Sequence, residues 1–190
     1  MVDHLAEPSL TQFLDLLLDV VCVVDKDGRF QYVSAACERV FGFTQQEMVG
    51  KTVQDLVHPE DRETTLNIAS QVMAGTDSTQ FENRYLRKDG EVVHIMWSAR
   101  WSEQDQIRIG VARDITRRKQ AELKQSALLR ISQAAHRTRD LAILLEQIRE
   151  IVAALVPCQG FYVALRSERD GHWTYPYYRD DRDLAPGNAP

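Results

Sequence analysis

The chain has 190 residues, 44% hydrophobic and 27% charged, and its 28 acids against 23 bases leave a net charge of −5. That balance excludes a general nucleic-acid binder, which needs a basic surface, and no apolar run is long enough for a transmembrane helix. Residues 1–10 lack the basic-then-apolar order of a signal peptide. Cys22, Cys37 and Cys158 are odd in number and far apart, which excludes a disulfide framework or zinc cluster and suits a reducing cytoplasm.

Leu10, Phe13, Leu14, Leu17 and Leu18 form a helical stripe within residues 10–19. Residues 20–24 are a β-branched run that ends at Asp27-Gly28, a hairpin turn, and Phe30, Tyr32 and Val33 form the return strand. Ser34 is placed to cap a short helix that stops at Gly42. Thr44-Gln45-Gln46-Glu47 is a capping box for another short helix. Pro59 opens a longer helix, closed by Gly75. Three strands follow. Phe81, Asn83 and Tyr85 alternate with Glu82, Arg84 and Leu86; after the Lys88-Asp89-Gly90 turn, Val93, Ile95, Trp97, Ala99 and Trp101 share one face. Ile107, Ile109 and Val111 alternate in the last strand, and Arg113 shares their parity near its end, where an acidic partner suits it. Strands, short helices and more strands describe an α+β domain with an antiparallel sheet holding its helices on one face.

From Thr116 the pattern turns helical and charged, with Leu123, Leu128, Ile131 and Ala135 on an apolar strip. Either a single helix or two helices meeting near residues 138–140 fits. Leu141, Leu144, Leu145, Ile148, Ile151, Val152 and Leu155 make a second stripe, and residues 161–165 and 173–178 make one hairpin. The composition of residues 184–190 favours disorder.

Several motifs in this order resemble the PAS (PAS/PAC sensor) family. Residues 23–30 look like its opening hairpin, residues 41–51 like its first helices, and His58-Pro59-Glu60-Asp61-Arg62 like the start of its long helix. Arg87-Lys88-Asp89-Gly90-Glu91 and residues 110–119 are similar to its final strands and exit. From Ser126 the chain is similar to the opening of a GAF domain. The resemblance implies a five-stranded PAS-like antiparallel sheet with helices on one face, a long helical linker and a partial GAF-like hairpin. It divides the chain into an amino-terminal amphipathic helix (1–19), a PAS domain (20–116), a signalling helix (117–140) and an incomplete GAF-like segment (141–190). A two-stranded hairpin is marginal alone, so the chain reads as a fragment of a longer protein such as a bacterial sensor histidine kinase or diguanylate cyclase.

No phosphate loop, nucleophile elbow, His-Glu-x-x-His or Cys-x-x-Cys motif is present, so this stretch reads as catalytically silent. His136 reads as a solvated linker histidine. PAS domains bind haem, flavin or small metabolites between sheet and helices. Haem needs an axial histidine, but His58 sits at the helix corner and His94 is out of phase with the inward set. Neither Cys22 nor Cys37 has the neighbours of a photoactive flavin site. The cofactor is therefore unknown. Met48, Asn83, Tyr85, Ile95 and Trp97 are the candidate lining of a small-molecule pocket, with Asn83 placing one amide among apolar walls; the alternative is a filled core in which Asn83 bonds a helix backbone group. The outer sheet face carries Leu86, Val92 and Met96 and needs a cover. The family resemblance implies a homodimer through the amino-terminal helix, that face and the linker helix, with Asp114 and Thr116 coupling the last strand to the exit helix. The expectation is a cytoplasmic sensory and dimerisation module, or else a ligand-free interaction scaffold.

Overall fold

The computed structural model describes residues 10–76, 78–156, 160–169 and 171–180, which fall into two compact units, 1–119 and 120–190. Cys158 and the tail at 184–190 lie outside the described residues.

The first unit opens with α1 (Leu10–Asp15), β1 (Val20–Asp25) and β2 (Phe30–Val33). The β1–β2 turn carries Gly28 at φ 80°, a conformation that a Cβ would strain. Four helices follow: α2 (Ala36–Phe41), α3 (Gln45–Met48), α4 (Val53–Leu56) and α5 (Arg62–Met73), the last entered through a 3-10 turn at Pro59–Asp61. Then come β3 (Ser78–Leu86), β4 (Val92–Ser102) and β5 (Ile107–Asp114). The strands form one antiparallel sheet in the order β2-β1-β5-β4-β3, the mixed α+β architecture anticipated from the sequence.

Local chemistry explains most boundaries. The capping box at Thr44 is formed: its Oγ1 accepts from the Glu47 N–H, and Glu47 Oε2 accepts from the Thr44 N–H. α4 has an analogous start, where Asp55 Oδ2 accepts from the Thr52 N–H at 2.7 Å. Ser34 does not cap α2. It is buried, and its Oγ accepts from the Val21 N–H at 3.0 Å, tying the end of β2 back to β1. His58 closes the corner before α5, its Nδ1 accepting from the Glu60 N–H.

β3 and β4 follow the expected parity, with Asn83, Tyr85, Val93, Ile95 and Trp97 buried. β5 does not. Gly110 and Ala112 face inward, while Ile109 and Val111 remain 47% and 37% exposed on the outer face. The reason is the Trp97 ring. A Cβ on Gly110 would stand 3.3 Å from that ring and 3.4 Å from Cys22 Sγ, so the strand beneath the indole must carry small residues. Of the expected outer-face residues, Val92 is exposed, and Leu86 and Met96 are half-buried. Tyr85 centres the core, its ring 5.4 Å from Phe41 and 5.6 Å from Trp97, a tilted arrangement that aromatic quadrupoles favour.

α5 is fastened to β3 at its first turn. The Asp61 carboxylate accepts from the Arg84 backbone N–H at 2.7 Å, from Nε at 3.0 Å and from Nη2 at 2.6 Å. A second carboxylate, Glu60, takes Arg84 Nη2 at 2.9 Å.

α6 (Thr116–Arg137), whose first turn belongs to the first unit, and α7 (Leu141–Ala153), in the second, are separate helices, which resolves the single-or-double question left by the sequence. Asp140 caps α7 by accepting from the Ala142 and Ile143 N–H groups. The hairpin of β6 (Gly160–Arg166) and β7 (Trp173–Asp180) meets α7 through Glu146, which accepts from the Tyr177 hydroxyl and pairs with Arg149 and Arg179.

Hydrogen bonds from Arg84 hold the Asp61 carboxyl below the usual aspartate range. A lowered folded value means that this stabilisation is present above the unfolded value of about pH 4 and is lost as pH falls through the folded one. Asp61→Asn is expected to cost about 1–3 kcal/mol at neutral pH and to remove that part of the acid sensitivity, as read by urea unfolding at pH 7 and pH 3.

Candidate functional site

Small residues on both sides of the α5–sheet contact leave a cavity. From α5, Thr65 and Ala69 face it; from the sheet, Cys22, Ala99 and Gly110. Short side chains on facing elements cannot meet in the middle, so a gap stays open where larger residues would interdigitate. Its volume is about 50 Å³, and it is partly open to solvent. Val24, Val53, Ile68, Val72 and Phe81 give it apolar walls.

Of the residues singled out from the sequence, Asn83, Tyr85 and Trp97 line this cavity together. Met48 and Ile95 are fully buried in the core cluster and lie outside the lining. Arg108, Cys22, Thr65 and Gly110 line the cavity without having been anticipated. Glycine in mid-strand is the available signal, since it marks a close approach, and the two-residue period then places Arg108 on the same inward face.

The polar groups are ordered by a chain of hydrogen bonds. The Thr65 hydroxyl donates to the Asp61 carbonyl at 2.7 Å, which leaves its oxygen to accept from Asn83 Nδ2 at 2.9 Å. The orientation of the Asn83 amide is thereby set, and its Oδ1 has no partner; neither has Trp97 Nε1, although both residues are at least nine-tenths buried. The Tyr85 phenol is pushed well up by burial, and hydrogen bonding from the Asn83 and Trp97 side chains, both within reach of its oxygen, offsets only part of that. Burial likewise pushes the Cys22 thiol up to about 12, so it stays un-ionised and is a poor nucleophile. Arg108 is half-buried, and its charge favours the ionised forms of Cys22 and Tyr85. It has no carboxylate partner among the described residues. No group of histidine, cysteine and carboxylate side chains among those residues could hold a metal ion.

His94 and His58 do not line the cavity. His94 instead serves the sheet's exit: its N–H donates to Thr116 Oγ1 at 3.0 Å, and its carbonyl accepts from the Ile115 N–H at 2.9 Å. The Thr116 N–H donates to Asp114 Oδ1 at 2.8 Å, while Asp114 Oδ2 pairs with Arg87 at 3.2 Å. Glu82, on the outer side of β3, pairs with Arg118 and Lys119 in the first turn of α6, and both cations lower its carboxyl pKa.

A family model described as the PAS fold matches residues 14–120. The chain belongs to the PAS fold family. A PAS domain is a sensory rather than catalytic domain. Among solved structures, the PAS domain of a protein from Colwellia psychrerythraea is 27% identical, with a TM-score of 0.51, covering 56% of this chain and 93% of that one. A domain of a sensory box sensor histidine kinase/response regulator from Geobacter sulfurreducens is 19% identical, covering 54% and 89%, with a TM-score of 0.49. The N-terminal domain of a diguanylate cyclase with PAS/PAC sensor from Marinobacter aquaeolei is 24% identical, covering 53% and 98%, with a TM-score of 0.46. No curated protein matches the chain. No helix among the described residues is long and apolar enough to cross a membrane.

Gly110→Leu is expected to drive its side chain into Trp97 and Cys22, close the PAS cavity and cost about 1–3 kcal/mol. Urea denaturation and the indole N–H resonance of Trp97 check both effects.

Proposed function

We propose that this chain is the sensory and dimerisation part of a signal-transduction protein, in which occupancy of the PAS cavity is passed through the first turn of α6 to an output domain. The observation that carries the reading is the position of Glu82. Its neighbours Phe81 and Asn83 line the cavity, while Glu82 itself, on the opposite face of the same strand, holds Arg118 and Lys119. Alternate residues of a strand share one backbone, so a ligand that shifts the inner pair moves the grip on the helix. Asp114 and Thr116 couple the other side of the junction, joining the end of β5 and the start of β4 to the helix start.

The second unit is consistent with a helical linker leading into the start of a GAF-type domain, with the boundaries 117–140 and 141–190 read from the sequence. The output would be of the histidine kinase or diguanylate cyclase kind. A cytoplasmic location fits the spaced cysteines.

Dimerisation has its own support. α1 buries none of its residues, leaving Leu10 and Phe13 exposed, and the outer sheet face exposes Val92, Ile109 and Val111. Apolar surface of this kind gains free energy when a second copy covers it. The same observation favours the scaffold reading, in which the cavity takes no ligand.

Two results are expected. Ala69→Leu, which fills the cavity, should change hydrogen exchange at residues 116–119, and in a Glu82→Gln background the change should disappear; unchanged exchange in the single variant would sink the coupling. Ile109→Glu should halve the native mass measured by light scattering, whereas a wild-type monomer would refute the dimer.

A further inference from the structure

α1 buries none of its residues, yet the chain leaving it is gripped by polar groups at three points. Asp15 Oδ1 accepts from the Ala35 N–H at 2.7 Å and from Gln45 Nε2 at 3.3 Å. α2 has no side-chain cap of its own at Ala35, so a carboxylate from α1 serves that end. The Leu18 carbonyl accepts from Arg39 Nη2. Asp19 Oδ2 accepts from Arg113 Nε at 3.0 Å and Nη2 at 2.8 Å.

The gripping residues lead onward to α6. Arg39 stands in the last turn of α2, and its own carbonyl accepts from Arg87 Nη1 at 3.2 Å. Arg87 lies in the turn between β3 and β4, and the neighbouring Lys88 N–H donates to the Phe41 carbonyl at 3.0 Å. The turn and the end of α2 are therefore one body. Arg87 Nη2 then donates to Asp114 Oδ2 at 3.2 Å, and Asp114 Oδ1 accepts from the N–H of Thr116, the first residue of α6, at 2.8 Å. No residue of this set lines the cavity.

Two straps thus run from the exit of α1 to the end of β5, and exposure ranks them. The Asp19–Arg113 pair is the looser, since the Arg113 side chain is 60% exposed and its ion pair is screened by solvent. The Arg87 and Asp114 side chains are 25% and 32% exposed. A planar guanidinium that bonds acceptors on two elements fixes their relative position as well as their distance. Arg87 does this between α2 and β5, and Arg39 joins α2 to the Leu18 carbonyl.

We propose that α1 is a second input to the exit helix: a displacement of α1 reaches the first turn of α6 through Arg39, Arg87 and Asp114, without passing through the cavity. Arg39 and Arg87 are positioning residues in this device. The inference rests on α6 as the outgoing element and is independent of any ligand. Two inputs then meet at one helix turn, the cavity acting through Glu82 on Arg118 and Lys119, and α1 acting through Asp114 on Thr116.

The test is a double-mutant series on the full chain, read by NMR hydrogen exchange at Thr116 and Lys119, whose N–H groups bond Asp114 Oδ1 and the Ile115 carbonyl. Rates are taken relative to Val93, Ile95 and Trp97 in the core of β4, so that a change in global stability cancels. Asp15→Ala frees α1 from α2 and α3, which the Ala35 amide resonance verifies, and is expected to raise exchange at both reporters about threefold or more. With Arg87→Gln or Arg39→Ala already in place, Asp15→Ala should add nothing. Arg39→Lys, which keeps a donor for the Leu18 carbonyl, should preserve part of the response. In an Ala69→Leu background the response should persist, because the cavity is bypassed. Unchanged exchange at Thr116 and Lys119 in Asp15→Ala overturns the second input. An equal response with and without Arg39 and Arg87 overturns the relay and assigns the coupling to the β1–β5 pairing. Loss of the response in Ala69→Leu alone overturns the bypass and leaves the cavity reading standing.

Discussion

A carboxylate that accepts three hydrogen bonds from one arginine leaves the helix behind it little freedom to slide. Asp61 is so held by Arg84, and the same residue's carbonyl takes the Thr65 hydroxyl one turn later. The side chain fixes where α5 lies against β3, and the backbone then fixes how Thr65 and Asn83 are turned. The depth of the cavity and the chemistry of its wall are both set at this corner. Because the bonds are charge-assisted and partly shielded, they outweigh ordinary surface ion pairs, which contribute little.

The sheet supplies the complementary constraint. Trp97 needs room for its ring, and Gly110 and Ala112 provide it on β5. That requirement reverses the strand's expected parity, sends Ile109 and Val111 to the outer face and brings Arg108 inward. One packing demand thus creates the apolar outer face and the charged lip of the cavity at once.

Much of this fold was legible because the signals were local. The Thr44 capping box, the Gly28 and Gly90 turns and the alternation through Phe81, Asn83 and Tyr85 are properties of neighbouring residues, and they appear where the pattern put them. What escaped depends on contacts distant in sequence. Ser34 bonds across to Val21 instead of capping α2, because the tertiary hydrogen bond competes with the local one. The inward turn of Arg108 follows from the size of a tryptophan on the neighbouring strand. Met48 and Ile95 carry the right chemistry for a pocket wall, but whether an apolar residue lines a cavity or fills the core depends on what stands opposite it, and a one-dimensional pattern does not contain that.

The cavity is built from two sets of residues that do not overlap. Asp61, Thr65, Asn83 and Arg84 form the hydrogen-bonded frame, while Ala69, Ala99 and Gly110 set how much space remains inside it. A substitution in the second set changes volume by one or a few carbon atoms without disturbing the first. Descendants of this sequence have an easy route to a new specificity, since ligand size drifts through single conservative exchanges while the orientation of the polar groups is inherited unchanged.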